Sequence, residues 1–410
     1  MKILLVNEYF SNEVKTGANL IAYSTYYLLK NNNIETYFFS KDTGDFCYNQ
    51  EINSLFPKSY EFNKSIYGQF LFRLNSLYNI SAKRQFQKVL KKIQPDLVHV
   101  HITTELSLSI LSLLRKYNIP YVLTVHDAQF VCPVMGNHGY CLDCNQSILN
   151  CIKKKCSRNN IFPSIYLAIK FYIYKKMLKK YPPKKIICPS IALKDYINKT
   201  RFANNIEFVC IPNSLDETFN NVKASYFNKN YFLFVGALND SKGVGVLLEA
   251  IKKLPNNINF HFVGEGKQEE YYKQFAKENK LDNVKFLGKM NRQELISEYQ
   301  NCIAVITPSI WFEIFGMINI EAFACGKPVI ASKTGGIAEI IDDNINGLLF
   351  EPGNVQALVT CILKYWNNND LVIAHGKEAL NKVNELYKPK SYNDLLQKTY
   401  LSIIKGTKDD

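Results

Sequence analysis

At 410 residues, with 47% hydrophobic and 21% charged side chains, the chain has the composition of an ordinary globular protein and the length for two substantial cores. Its net charge of +14 is uneven: residues 1–200 carry 27 Lys and Arg against 12 Asp and Glu, whereas residues 201–410 carry 23 against 24. A basic half beside a neutral one suits an anionic partner, whether a phosphorylated lipid acceptor, an acidic membrane face or a nucleic acid.

The chain opens on a strand-length apolar run, residues 2–6, followed at once by Asn7 and Glu8. That is no secretory signal, so a cytosolic location is expected. Thr16-Gly17-Ala18 then stands at the head of an apolar helix predicted over 18–30. A glycine there lets backbone N–H groups approach phosphate oxygens, although it also serves any tight strand-to-helix turn. A strand at 96–100, a helix at 104–116 and a strand at 120–125 follow. The last delivers Thr124-Val125-His126-Asp127 to a strand end, where His126 is placed to hydrogen-bond a ligand.

Five of the 11 cysteines fall in the next stretch: Cys132, Cys141, Cys144, Cys151 and Cys156. The Cys141-x2-Cys144 knuckle with Cys132 and Cys156 has spacing that suits a structural zinc, with Cys151 as the alternative fourth ligand and free thiols or a redox role as the other readings. Disulfides are not expected in a reducing cytosol. Residues 153–185 interleave lysines with Phe162, Tyr166, Phe171 and Tyr172. Its apolar core, Phe162 to Tyr174, is broken by Lys170 and is too short to span a bilayer, so the segment reads either as an interfacial helix on an anionic membrane or as a domain helix whose lysines face water.

After a strand at 185–189 and a helix at 190–198, a second βα series starts at residue 231, with strands at 231–236, 259–264, 284–288, 304–309 and 328–332 separated by helix-length stretches. Such alternation predicts parallel sheets covered by helices, in two Rossmann-like halves. Expected boundaries are 1–212, 213–388 and a last helical segment, 389–410, packing back on the first domain. Lys242-Gly243 lies between a strand end and a helix, where an ammonium could neutralise a diphosphate. Glu313 and Glu321 sit eight positions apart, about two helical turns, around a helix predicted to start near Phe315-Gly316-Met317-Ile318. The free N–H groups of that helix suit phosphate oxygens, and the two carboxylates suit hydroxyls. Glu321→Ala is expected to weaken nucleotide binding with little loss of fold.

These residues, together with PNSLD (212–216), FVGEG (262–266) and the long segment PSIWFEIFGMINIEAFACGKPVIAS (308–332), resemble the Glu-x7-Glu family of retaining glycosyltransferases, the family 4 type also described as glycosyl transferases group 1. The resemblance implies an α/β GT-B fold, two Rossmann-like domains facing each other across a cleft, with a nucleoside-diphosphate sugar as donor. It implies that Glu321 binds the ribose, that Lys242, Gly17, Gly316, Met317 and Ile318 hold the diphosphate, and that Glu313 and His126 contact the sugar. Gly264, Lys289 and Met290 would border the base. Transfer would be metal-independent, onto a glycan acceptor expected to be lipid-linked, in bacterial capsule, O-antigen or exopolysaccharide assembly. Cysteine-bearing insertions after the His-Asp segment occur in a branch of that family. The segment Gly236-Ala237-Leu238 departs from the usual Gly-Arg-Leu and lacks its cation, and Thr16-Gly17 replaces a frequent glycine pair. The alternatives are a sugar-nucleotide epimerase on the same fold, or a non-catalytic nucleotide- or nucleic-acid-binding protein with a zinc knuckle. No known nucleic-acid module pattern accompanies the latter.

Overall fold

The computed structural model describes residues 1–10, 17–41, 52–58, 66–104, 106–127, 148–157, 160–199, 206–219, 221–226 and 229–406. They form two units: one holds Met1–Pro189, Leu193–Ile211 and Asn393–Asp410, the other Ser190–Ala192 and Pro212–Tyr392.

The first unit is built on six parallel strands, β1 (Lys2–Val6), β2 (Glu35–Phe39), β3 (Leu97–Val100), β4 (Tyr121–Thr124), β5 (Lys185–Cys188) and β6 (Glu207–Cys210), in the order β2-β1-β3-β4-β5-β6. Ile3 to Val6 and Leu97 to Val100 are buried without alternation, as strands covered on both faces must be. Strand order reverses between β1 and β3, so the loops beyond their carboxyl ends diverge and leave room for a ligand.

Helix 80–93 shows how local signals fix an element here. Asn79 caps it by accepting the Ala82 N–H, and Ala82, Phe86, Val89, Leu90 and Ile93 make its buried stripe. The helix expected over 104–116 is shorter, Leu111–Lys116 after a 3-10 turn at Leu108–Ile110. Ser107 causes this: at φ 56° its hydroxyl accepts the Ser109 N–H and starts the turn afresh. The C-terminal helix Pro389–Gly406 buries Leu396, Tyr400 and Ile403, and Tyr400 hydrogen-bonds His99 of β3.

The second unit has strands β7 (Tyr231–Val235), β8 (Asn259–Val263), β9 (Val284–Gly288), β10 (Val305–Thr307), β11 (Val329–Ser332) and β12 (Gly347–Phe350), all parallel, in the order β12-β11-β10-β7-β8-β9. The period of two sorts its core. Phe232, Phe234, Phe260, Phe262 and Ile306 pack with Leu247, Leu248 and Leu358 on one face. Tyr231, Leu233, Val305 and Val329 pack with Ile320 and Phe323 on the other. The switch in strand order falls between β7 and β10, and the loops that follow these two strands carry Lys242 and Glu313. Among the described residues no helix is long and apolar enough to cross a membrane.

Candidate functional site

In the second unit the two switch-point loops are packed backbone against backbone. Gly243 sits at φ 71°, and a Cβ there would lie 1.8 Å from the Pro308 carbonyl oxygen, so only glycine allows the approach. The Ile310 N–H donates to the Ser241 carbonyl at 3.0 Å, which ties the loops together. This brings the Lys242 ammonium to Glu313 Oε1 at 2.5 Å, while the Ser309 hydroxyl donates to the same oxygen at 2.7 Å. Ser309 is held in turn through its carbonyl, which accepts from the Ser332 hydroxyl.

Directly after Glu313 the helix Met317–Ala324 begins, with Gly316 at φ 110° as its N-cap. An added Cβ at Gly316 would come within 2.6 Å of Asn319 Nδ2, so the cap has no room for a side chain. Asn319 accepts from the Thr307 hydroxyl at 3.0 Å and fastens the first turn to β10. A positive helix end, an ammonium and a carboxylate therefore share one strand-end edge.

Glu321 lies two turns on and is 4% exposed. Arg292 donates to its Oε1 at 3.0 Å and the Tyr299 hydroxyl to its Oε2 at 2.9 Å. Arg292 also lies 3.6 Å from Asp216. Burial pushes the Glu321 carboxyl above its ordinary range, against the pull of Arg292 and Tyr299.

The two glutamates thus differ in energetics. The Lys242–Glu313 pair is partly open to water and is worth at most about 1 kcal/mol, so an incoming anion can replace Glu313 on the lysine. Truncating a buried paired carboxylate such as Glu321 costs about 3–5 kcal/mol. The expectation that Glu321→Ala spares the fold is therefore corrected: Gln is the substitution that keeps the shape and part of the bonding. A carboxylate offers about four lone-pair sites, so with one taken on each oxygen Glu321 can still accept hydrogen bonds.

Gly264 follows β8 and donates its N–H to the Gly288 carbonyl at 2.8 Å. Beyond β9, Lys289 is exposed and Met290 packs on the core. Arg292 and Tyr299 carried no motif in the sequence. Their helix was nonetheless announced by Asn291-x-x-Glu294, which forms a capping box.

In the first unit, Gly17 opens the helix Gly17–Asn31 with open space around it. At the switch point Asn7 links three segments. It donates to the Tyr9 carbonyl at 2.7 Å and to Asn19 Oδ1 at 3.0 Å, and accepts the Ile102 N–H at 3.0 Å. Glu8, Asn19, Thr103, His126, Asp127 and Tyr174 are among the residues lining a cavity of about 300 Å³ there. Glu8 is buried with Lys41 at 3.5 Å. His126 does emerge beyond β4, but behind it stand two histidines that sequence reasoning did not single out. His101 Nδ1 lies 2.8 Å from His126 Nε2, and the His99 and His101 rings are 4.0 Å apart. Burial holds His99 down to about 3 and His126 to about 4, and His101 well below the usual range, so all three are neutral near pH 7.

Of the cysteine cluster, Cys132, Cys141 and Cys144 lie outside the described residues. Cys151 is buried and Cys156 half-buried. Cys188, Cys302 and Cys325 are buried as small core residues.

Comparison with known proteins decides the family. The profile of glycosyltransferase family 4 matches residues 17–219, and that of the glycosyl transferases group 1 matches residues 216–382. The chain belongs to the group 1, family 4-type glycosyltransferases. An uncharacterised glycosyltransferase of Methanocaldococcus jannaschii is 29% identical to it over 308 residues, 74% of this chain and 76% of the relative. The O-antigen chain mannosyltransferase C of Escherichia coli is 28% identical over 43% of this chain and 48% of its own length. Among solved structures, the sucrose-phosphate synthase of Thermosynechococcus elongatus matches this glycosyltransferase with a TM-score of 0.74 at 19% identity over 99% of each chain. Anabaena HepE, solved in complex with UDP-glucose, matches with a TM-score of 0.67 at 19% identity over 98% of this chain and 100% of its own. Both likenesses run the length of the glycosyltransferase and identify its two six-stranded parallel sheets with the GT-B fold.

Proposed function

We propose that this glycosyltransferase moves a sugar, with retention of anomeric configuration, from a nucleoside diphosphate to a hydroxyl of a lipid-linked glycan during assembly of a bacterial surface polysaccharide. The observation that carries the reading is the Lys242–Glu313 pair at the head of the helix Met317–Ala324. The diphosphate takes the Lys242 ammonium and the N–H groups of Met317 and Ile318, and Glu313, released from the lysine, accepts hydrogen bonds from sugar hydroxyls. Glu321 accepts from the ribose. Gly17 and His126 of the first unit are assigned to diphosphate and sugar by family resemblance. As the anomeric C–O bond to phosphate breaks, the acceptor oxygen bonds to that carbon, and its proton passes to the leaving phosphate. Lys242 and the helix terminus stabilise the charge that develops there, which Ala237 leaves without a second cation.

The acceptor class rests on relatives and on surface chemistry. The E. coli relative is named for O-antigen chain synthesis. Phe70 and Leu74 on the helix Ile66–Leu77, and Phe162, Ile169 and Tyr172 on the helix Ile161–Lys180, are exposed, and lysines at 175, 176, 179 and 180 accompany them. Apolar side chains among lysines suit the inner face of an anionic membrane.

The test is a melting-temperature shift with UDP, GDP and ADP on the wild type, Glu321→Gln and Lys242→Met. A nucleotide at 100 times its Kd stabilises the folded state by about 2.7 kcal/mol. One nucleotide should stabilise the wild type, and both variants should lose most of that gain. Transfer from the matching sugar nucleotide should fall by about two orders of magnitude in Lys242→Met. No response to any of the three nucleotides overturns the reading.

A further inference from the structure

His126 does not stand alone. His101 follows β3 and shares its face with His99, two residues earlier. His99 is locked by Tyr400, 2.6 Å from Nδ1, and by Thr124, 2.6 Å from Nε2, and its ring lies against His101. His101 is 1% exposed, and its backbone N–H donates to the Val6 carbonyl at 2.8 Å, so its ring has little freedom to turn. Its Nδ1 meets His126 Nε2 at 2.8 Å, with the rings within 19° of parallel. Its Nε2 is buried and has no hydrogen-bond partner among the described residues.

Two neutral imidazoles sharing one hydrogen bond can place its proton in only two ways. If His126 Nε2 donates, His101 must carry its own proton on Nε2, stranding an N–H in a buried, partnerless position. Orphaned buried N–H groups are rarer in native proteins than under-used acceptors. If His101 Nδ1 donates, only a bare lone pair is left there, and His126 then carries its proton on Nδ1. That nitrogen has no protein partner among the described residues, and His126 lines the 300 Å³ cavity. The charged groups about this cavity are Glu8, paired with Lys41, and Asp127 and Lys170, whose fields act on each other; Tyr9 and Tyr174 also line it.

We propose that His101 is a positioning residue which fixes His126 as the Nδ1–H tautomer, so that His126 offers a hydrogen-bond donor, and not an acceptor, to an oxygen of the bound substrate. The catalytic consequence rests on the reading of His126 as a donor-sugar contact; the tautomer itself does not. A free imidazole favours the proton on Nε2, so without His101 the ring would present its lone pair to a hydroxyl or to a developing negative oxygen.

The experiment is nitrogen NMR of ring-labelled histidine in the full-length protein near pH 7.5, with the His126 signals assigned from His126→Ala. The expected spectrum has His126 Nδ1 protonated and Nε2 unprotonated. A proton on Nε2 in the wild type overturns the proposal without any variant. His101→Phe removes the donor and should move His126 toward the Nε2–H form and lower kcat about tenfold, the weight of one hydrogen bond, with nucleotide binding little changed. His101→Asn, whose amide can donate from nearly the Nδ1 position, should restore both tautomer and rate. Unaltered tautomer and rate in His101→Phe would also overturn it. Undiminished transfer in His126→Ala would overturn the sugar-contact reading, and with it the catalytic half of the proposal.

Discussion

Acid should loosen the first unit through His99, by an amount that can be worked out. His99 is fully buried between Tyr400 and Thr124 and titrates at about 3, against about 6.5 for an exposed imidazole. A depressed value means that the unfolded chain binds more protons than the folded one throughout that interval. The stability His99 contributes is therefore complete above pH 6.5 and is lost as pH falls toward 3. At pH 5 the loss from this ring alone is about 2 kcal/mol relative to pH 7. His101 and His126, depressed for the same reason of burial, add to it in the same direction. Hydrogen exchange of the β3 and β4 amides, corrected for intrinsic rates, reads the opening free energy of this unit directly. Comparison of the wild type with His99→Gln isolates the imidazole, since glutamine can hydrogen-bond but does not titrate. The variant should lose about 2 kcal/mol less than the wild type between pH 7 and pH 5. Equal losses in the two proteins would refute the argument.

Two further outcomes are expected. Vesicles containing phosphatidylglycerol should sediment the wild type in a salt-sensitive manner, and a Phe162→Ser, Lys175→Ser, Lys176→Ser variant should stay in solution; no sedimentation of the wild type would remove the membrane proposal. Protein prepared without chelating resin should hold about one zinc per chain, lost in Cys141→Ser with Cys144→Ser. Metal-free wild type of unchanged stability would end that proposal for the cysteine cluster.

What could be read from the sequence was what depends on short-range pattern. β1, β3, β4, β5 and β7 to β11 are apolar runs ending at glycines, prolines or polar loops, and all nine stood out. Of the four edge strands only β9 did; β2, β6 and β12 did not. Of these, β2 and β6 begin with an exposed glutamate. An edge strand has only one neighbour to pair with, so its sequence is less constrained. In the site, Glu313 and Lys242 were legible because the loops that carry them need glycine, at 243 for close backbone packing and at 316 for a positive φ against Asn319. Arg292 and Tyr299 were not, because they act on a partner far away in the chain: Arg292 reaches Glu321 across 29 positions and Tyr299 across 22. His99 and His101 were hidden for a different reason. Either alone in an apolar strand reads as a core histidine, and only the fold places them behind His126.

Tyr400 has a consequence for how the molecule is made. The hydroxyl that holds His99 in β3 belongs to the last helix, and the helix residues from Asn393 onward group with the first unit, although Pro212–Tyr392 builds the second. During synthesis the first 211 residues leave the ribosome lacking that helix, and the whole second unit must follow before it is made. At about 5–20 residues per second this interval lasts roughly 10–40 s. The second unit, continuous but for three residues, can therefore complete its folding first.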